Sequence, residues 1–240
     1  YMFFNSKITH IETYTPKNYI DIKSFAIKNK WDFDKIYEKT GIKKVYRADK
    51  NQTTLDLAFK SANKLVKKID RNIIDAVICV TQSSNYFLPS LSCILQDKLK
   101  LKKNIIAFDI NQGCSGYINA LYLAISYINS GISKNILIIC ADTYSKLLNP
   151  ADRSVVTLFS DASSSTLVSK CKKKYFGKFN FGTDGSGSKH LYAKNSKTCD
   201  DKSDLYMNGS SIYRFTQSKI PNHIKKNLTN NRISINSIDK

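Results

Sequence analysis

The sequence predicts a layered α/β fold, and two patterns support that prediction. Three short, nearly continuous apolar runs rich in Ile and Val occur at residues 73–80, 105–110 and 135–141, and such runs are typical of parallel strands buried on both faces. Segments with helical spacing lie between them. This β-α-β-α-β alternation predicts a parallel sheet whose strands are joined by right-handed crossovers.

Three helices are predicted around these strands. Residues 53–68 place their apolar side chains on one stripe and lysines on the opposite side. Residues 89–99 open with Pro89, and proline is tolerated in the first turn of a helix. Residues 116–130 are apolar almost all round, which is typical of a helix buried in the middle of a domain, and Gly131 provides a natural end.

The last third of the chain is predicted to begin a second α/β unit. The run at 163–169 and the alternating aromatic segment at 175–182 have the pattern of strands. A glycine-rich turn is expected at 181–190. Helical spacing returns at 205–228, where Pro221 is expected to kink or break the helix.

The cysteines and the apolar runs indicate a cytoplasmic protein. No cysteine belongs to a C-x-x-C pair or joins a His at metal-ligand spacing, so neither disulfides nor a structural zinc are expected. The first thirty residues contain no signal-peptide core, and no run reaches the roughly 18 apolar residues of a membrane helix. The cysteines are Cys79, Cys93, Cys114, Cys140, Cys171 and Cys199.

One of these cysteines has a position that favours reactivity. Cys114 lies in a tight turn, Gly113-Cys114-Ser115-Gly116, between a predicted strand and the apolar helix. A helix N-terminus favours an anion, and the nucleophilic thiolate is such an anion. Gly113 and Gly116 leave space for a thioester to approach the backbone. The turn fits acyl transfer to Cys114, although a structural cysteine in a glycine-bounded turn gives the same pattern.

Five segments, in order, resemble motifs of the β-ketoacyl-(acyl-carrier-protein) synthase III family. Residues 108–131 resemble its nucleophile segment, in which a strand is followed by a small residue, Cys, a small residue, Gly and an apolar helix. The other four segments are KTGIKKVYRA at 39–48, LPSLSCILQDKL at 88–99, NPADRSVVTLFSDASSSTLVSK at 149–170 and FGTDGSGSKHL at 181–191. Together they span most of the chain.

The resemblance implies a thiolase-like layered α-β-α fold. Residues 1–170 would form a complete N-terminal half that carries the nucleophile, and residues 171–240 would begin a C-terminal half that is only partly present. The family's catalytic His and Asn follow the region where this sequence stops, and His10, His190 and His223 match neither of them. Such a chain is expected to acylate its cysteine but to condense poorly.

The activity that the resemblance implies is a decarboxylative Claisen condensation of fatty acid biosynthesis. Cys114 would take an acyl group from acyl-CoA or acyl carrier protein, and malonyl-carrier protein would lose CO2 to give a carbanion that attacks the acyl-cysteine. No cofactor or metal is expected besides these thioester substrates. The expected substrate-binding residues are Arg153, Lys35, Leu88, Gly113 and Gly116.

Two departures from the family pattern concern the primer and one turn. Members that bind acetyl-CoA commonly carry a Trp just before T-G-I, whereas this chain has Lys35 there and its only tryptophan is Trp31. We therefore expect a protein-bound primer or an unusual acyl group. The family's F-G-D-G-A-x-A motif becomes FSDASSS at 159–165, and loss of the glycine after Asp161 would reshape that turn.

The charge of the chain bears on its partners. Its 38 Lys and Arg exceed its 19 Asp and Glu, a formal net charge of +19, which favours an acidic carrier protein, a CoA phosphate or a nucleic acid. The alternative explanation of the charge is a general compositional bias, since Lys, Asn and Ile are abundant throughout the chain. No nucleic-acid-binding motif is found, so we expect neither nucleic acid nor membrane. The resemblance implies a homodimer that pairs near Phe87 to Ser90.

Two alternative functions stay open. The departures at Lys35 and 160–165 fit a specialised synthase that transfers acyl groups to a sugar, an amine or another non-malonyl acceptor. A non-catalytic basic module that binds acidic carrier proteins or nucleic acid is the third hypothesis, and its binding to nucleic acid would weaken steeply with salt.

Overall fold

A computed structural model describes residues 5–194 and 204–239. The strands are β1 (Ser6–Tyr14), β2 (Asn18–Asp21), β3 (Lys44–Arg47), β4 (Ala76–Val80), β5 (Ile106–Ile110), β6 (Asn135–Asp142), β7 (Ala162–Lys170), β8 (Leu191–Tyr192) and β9 (Tyr206–Met207). The α-helices are α1 (Ile22–Lys28), α2 (Phe33–Thr40), α3 (Thr54–Val66), α4 (Leu91–Lys98), α5 (Gly116–Asn129), α6 (Arg153–Val156) and α7 (Gly209–Asn231).

Five strands form the main sheet, in the order β1-β7-β6-β4-β5. The three strands predicted from the apolar runs, β4, β5 and β6, are mutually parallel, whereas β7 is antiparallel to both of its neighbours. The parallel core of the sheet is therefore confirmed. Because parallel strands share one direction, the carboxyl ends of β4, β5 and β6 lie at the same edge of the sheet.

Helices pack on both faces of this sheet. Alternate residues of a strand point to opposite faces. On one face, Val77 and Cys79 of β4 belong to a buried cluster that includes Ala58 and Leu65 of α3 and Leu95 of α4. On the other face, α5 packs against β4 and β6. The result is a layered α-β-α arrangement, as the sequence predicts.

A smaller cluster holds the hairpin of β2 and β3 against α1 and α2. Its fully buried centre includes Ile22 and Val45, with Trp31 packed at its edge. The indole of Trp31 also meets the ring of Phe25 edge-on, with centroids 5.5 Å apart. The only tryptophan thus contributes to a hydrophobic core.

The predicted helices exist, with two differences at α4 and α5. Pro89 precedes the N-cap residue Ser90 and so lies outside the first turn of α4. Helix α5 buries one face only, because only that face packs on the sheet: Ile125 is fully buried, whereas Ile118 is 46% exposed. The prediction of a helix buried all round was therefore wrong for the described part of the chain.

The second half also departs from the prediction at two places. Residues 175–182 form no strand beyond a single bridge residue. The backbone N–H and C=O of Lys178 bond the side chain of Asn231 instead, at 2.6 and 3.0 Å, so a side chain occupies the groups that a strand partner would need. Helix α7 continues through Pro221 without a break.

The chain divides into two compact units. One contains residues 5–146 and 159–176, and includes the whole main sheet. The other contains residues 147–158 and the described residues from 177 onwards. Within the described ranges, none of the helices is both long and apolar enough to cross a membrane.

Candidate active site

Cys114 lies in the turn that links β5 to α5. Five residues separate the end of β5 at Ile110 from the start of α5 at Gly116, and the N–H of Gly116 donates to the carbonyl of Gly113 at 2.9 Å. The Cys114 thiol is free and exposed. Ser115, the N-cap residue, makes no side-chain capping bond. The positive end of the helix is therefore directed at the turn that carries the thiol.

Two neighbouring loops at the same edge of the sheet bring Gln82 and Tyr144 to this turn. Gln82 follows β4 and Tyr144 follows β6. A Cβ atom placed on Gly113 would lie 2.7 Å from Gln82 Oε1 and 3.6 Å from Tyr144 Oη. Both polar groups thus lie against the residue that precedes Cys114, and the Tyr144 hydroxyl donates to Gln82 Oε1.

Both glycines of the turn are packed closely by side chains of this unit. Gly113 faces Gln82, and a Cβ on Gly116 would lie only 2.4 Å from Cγ1 of Val80, the last residue of β4. Real Cβ contacts do not approach this distance, so the start of α5 sits on the end of β4 because residue 116 has no side chain.

Asp142, the last residue of β6, holds the loop that carries Gln82. Its Oδ1 atom accepts hydrogen bonds from Thr81 Oγ1 at 3.1 Å, from Gln82 N at 2.8 Å, and from Ser83 N and Oγ at 3.0 and 2.7 Å. Burial raises the pKa of Asp142, and these bonds partly oppose the rise. The carboxyl group fixes the backbone of residues 81–83 beside the cysteine turn.

The hydroxyl of Tyr144 stays protonated at neutral pH. Burial raises the pKa of Tyr144, and the nearby Asp142 and Cys114 side chains add to the rise. The ring lies against that of Phe159, with centroids 5.2 Å apart. Tyr144 is therefore a permanent hydrogen-bond donor with a fixed ring position near the thiol.

A buried carboxylate anchors the next residue of the same loop. Asp161 is fully buried. Its Oδ1 accepts from Ser145 N at 2.8 Å, and its Oδ2 accepts from Ser145 Oγ at 2.5 Å and from Ala48 N at 2.7 Å. The Arg47 guanidinium donates to the Phe159 carbonyl at 2.6 Å. Asp161 therefore connects β3, the loop after β6 and the start of β7.

Lys35 and Leu88, which were also expected to bind substrate, are not bonded to the cysteine turn within the described residues. Lys35 is in the first turn of α2 and pairs with Asp32 at 3.0 Å. Leu88 is 82% exposed in the loop between β4 and α4. Within the described residues, no hydrogen bond or ion pair joins either side chain to the cysteine turn.

Arg153 belongs to the other unit, where it begins α6 and is exposed. Asp152 Oδ1 accepts hydrogen bonds from Ser154 N and Oγ at 2.8 and 2.7 Å, so this oxygen caps the helix. The same unit has an open cavity of about 610 Å³, whose lining includes Tyr213, Arg214 and Lys219.

The sequence patterns did not predict Gln82, Tyr144, Asp142 or the role of Asp161. One signal was available for the first three, since each ends or directly follows a strand that the apolar runs had located. The three histidines do not enter the site loops at 81–83, 111–115 and 143–145. Cys199 lies outside the described residues.

The layered α-β-α unit carries a free cysteine at the start of a helix, at the carboxyl edge of parallel strands. These features define the class of thiolase-fold acyltransferases. The family model for 3-oxoacyl-[acyl-carrier-protein (ACP)] synthase III matches residues 108–185. The β-ketoacyl-[acyl-carrier-protein] synthase III of Campylobacter fetus is 33% identical over 98% of this chain and 74% of its own length. That of Clostridium perfringens is 35% identical over 98% and 75%.

A solved structure of a 3-oxoacyl-(acyl-carrier-protein) synthase III is similar with a TM-score of 0.89. It shares 32% sequence identity with this chain, over 98% of the chain and 77% of its own length. The chain belongs to the β-ketoacyl-(acyl-carrier-protein) synthase III family, and thus to the transferases. The predicted family and the thiolase-like fold are confirmed.

Proposed function

We propose that Cys114 is the acyl-accepting nucleophile of a 3-oxoacyl synthase. The observation that supports this most directly is the exposed, free thiol beside the N-terminus of α5. In the first half-reaction the sulfur attacks the carbonyl carbon of an acyl thioester. A new C–S bond forms, the donor's C–S bond breaks, and the thiol proton passes to the departing CoA or carrier-protein thiolate.

The second half-reaction is a decarboxylative condensation. The C–C bond between the malonyl group and its carboxylate breaks, CO2 leaves, and the resulting carbanion attacks the acyl-cysteine carbonyl, which releases the Cys114 thiolate. This step is proposed from membership of the synthase family, whose named members act with acyl carrier protein. No cofactor other than the thioester substrates takes part.

Acyl-CoA and acyl carrier protein are the proposed donors. Both are anionic, and the chain's net charge of +19 favours their approach. Cationic side chains at Lys35 and Arg153, and Arg214 and Lys219 at the cavity of the second unit, suit phosphate or carboxylate groups. The free thiols of the described residues suit a reducing compartment, so the proposed location is the cytoplasm.

A homodimer is part of the proposal. Strand β5 is an edge of the main sheet, and an edge strand presents unpaired N–H and C=O groups that a second copy can pair. The loop before α4 carries exposed apolar side chains, Phe87 at 64% and Leu88 at 82%. Sedimentation should therefore show a dimer that Leu88→Asp weakens, and a concentration-independent monomer would contradict this part of the proposal.

Intact mass spectrometry with a panel of acyl-CoA and acyl-carrier-protein donors tests the nucleophile. We expect a donor-dependent mass increase on the wild-type chain that maps to Cys114 and is absent from Cys114→Ala. Cys93→Ala is the matched control, because Cys93 is also a free, exposed cysteine; this variant should acylate like wild type. Acylation of Cys114→Ala at the wild-type level would refute the assignment.

A further inference from the structure

The side chains of Gln82 and Tyr144 form a hydrogen-bonded pair against the cysteine turn. The Tyr144 hydroxyl donates to Gln82 Oε1, and both groups approach Gly113, the residue before Cys114. The pair is assembled from the loops after β4 and β6, whereas the thiol comes from the loop after β5. The pair therefore lies against the backbone of the residue that directly precedes the nucleophile.

The pair has hydrogen-bonding capacity to spare. An amide group has two N–H donors, and within residues 5–194 and 204–239 the Gln82 Nε2 atom makes no hydrogen bond, while Oε1 is bound to Tyr144. Gln82 is exposed on the surface of this unit, so its donors are accessible to a ligand. The hydrogen bond from a tyrosine that stays protonated fixes which end of the amide is free.

Contacts with neighbouring residues hold the Tyr144 ring and the backbone of Gln82 in place. The ring of Tyr144 lies on that of Phe159, and Asp161 bonds the next residue, Ser145, through backbone and hydroxyl. The backbone N–H of Gln82 is fixed by Asp142 at 2.8 Å. A donor that is anchored in this way loses little conformational entropy when it binds a ligand.

We propose that Gln82 and Tyr144 determine acyl-group specificity by binding an acceptor oxygen close to the thioester. The preferred acyl group carries a hydroxyl or carbonyl oxygen near the thioester, in addition to the thioester carbonyl. This inference rests on the proposed acylation of Cys114. An unsubstituted alkanoyl group would cover the amide without satisfying it, and a polar group that loses water without a new partner lowers affinity.

The test is a competition between 3-hydroxybutyryl-CoA and butyryl-CoA for Cys114. The two donors have the same carbon chain and differ by one hydroxyl, so the ratio of the two acyl-enzymes in one sample, read by intact mass at early times, reports the preference directly. We expect the hydroxyacyl group to be favoured about three- to tenfold, the range that one net hydrogen bond provides.

Two variants and two matched controls assign that preference to the pair. Gln82→Leu removes the amide donors at an exposed site and should bring the ratio close to one. Tyr144→Phe keeps the ring contact and removes the hydroxyl that orients the amide, so it should lower the ratio towards one. The chain has a second Gln–Tyr pair, in which Gln52 Nε2 donates to Tyr14 Oη at 3.1 Å. Gln52→Leu and Tyr14→Phe delete the same groups there and should keep the wild-type ratio.

The outcomes separate the inference from the function on which it rests. Acylation of wild type by both donors without a preference, or a preference that survives in Tyr144→Phe and Gln82→Leu, would overturn the specificity role and leave the nucleophile in place. Failure of every acyl-CoA and acyl-carrier-protein donor to acylate Cys114, in a folded sample whose thiol reacts with iodoacetamide, would overturn both.

Discussion

Replacing Asp161 by asparagine removes the anchor beneath the loop that carries Tyr144. The carboxylate accepts three hydrogen bonds, from Ser145 N on one oxygen and from Ser145 Oγ and Ala48 N on the other. Asparagine keeps one oxygen and places an NH2 group where the other was. In either orientation of the amide, its N–H groups face one backbone N–H, which is left without an acceptor in a fully buried site.

Three contributions determine how much Asp161→Asn lowers the free energy of unfolding. A buried donor without a partner costs about 1–3 kcal/mol, and exchanging a charged acceptor for a neutral one weakens the remaining bonds by about 1 kcal/mol. The charge of Asp161 also supports the half-buried guanidinium of Arg47: burial lowers the pKa of Arg47, and Asp161 opposes that fall. We expect Asp161→Asn to lower the free energy of unfolding by about 2–4 kcal/mol.

Urea unfolding measures this change as a lower midpoint with an unchanged slope. Asp70→Asn is the control, because within the described residues the exposed Asp70 carboxylate accepts a single hydrogen bond, from Asn72 N at 2.9 Å, and asparagine caps a turn as well as aspartate does. The control should stay within about 0.5 kcal/mol of wild type. A loss below about 1 kcal/mol for Asp161→Asn would refute the argument that a buried backbone donor is orphaned.

Two further substitutions test the site loop and a helix cap. Asp142→Asn should lose little, because all four bonds converge on Oδ1. Burial raises the pKa of Asp142 in the folded state, so the free energy of unfolding of the wild type should fall as pH rises from the unfolded pKa through the folded pKa. The variant has no carboxyl group at this position and should lack this fall. Urea unfolding in a pH series would contradict the prediction if the free energy of unfolding changed equally with pH in both proteins. Thr53→Ala breaks the capping box with Asp56 at the start of α3 and should cost about 1 kcal/mol, whereas Thr53→Ser should cost less than half as much; equal losses in thermal unfolding would show that the hydroxyl is not the source.

The elements that sequence predicted correctly are those whose pattern is local. The apolar runs gave β4, β5 and β6 within a few residues, because a strand buried on both faces must be apolar throughout. β4 begins at Ala76, three residues later than its run, since residues 71–73 form a 3-10 turn. The strand predicted at residues 175–182 does not form. Alternation of side chains indicates a possible strand, but a strand also needs a neighbouring strand to bond its backbone. Here the Asn231 side chain bonds the backbone of Lys178 instead.

The sequence by itself determined the nucleophile candidate, the layered fold and the family. Each of these depends on local patterns, such as the Gly-Cys-Ser-Gly turn, which directly follows an apolar strand and precedes an apolar helix in the chain. Only the tertiary structure decided what surrounds the thiol. Gln82 and Tyr144 are separated by 61 intervening residues in the chain, and they meet because three parallel strands end at one edge of the sheet. Which side chains converge there depends on strand order and register, and neither can be read from any one segment.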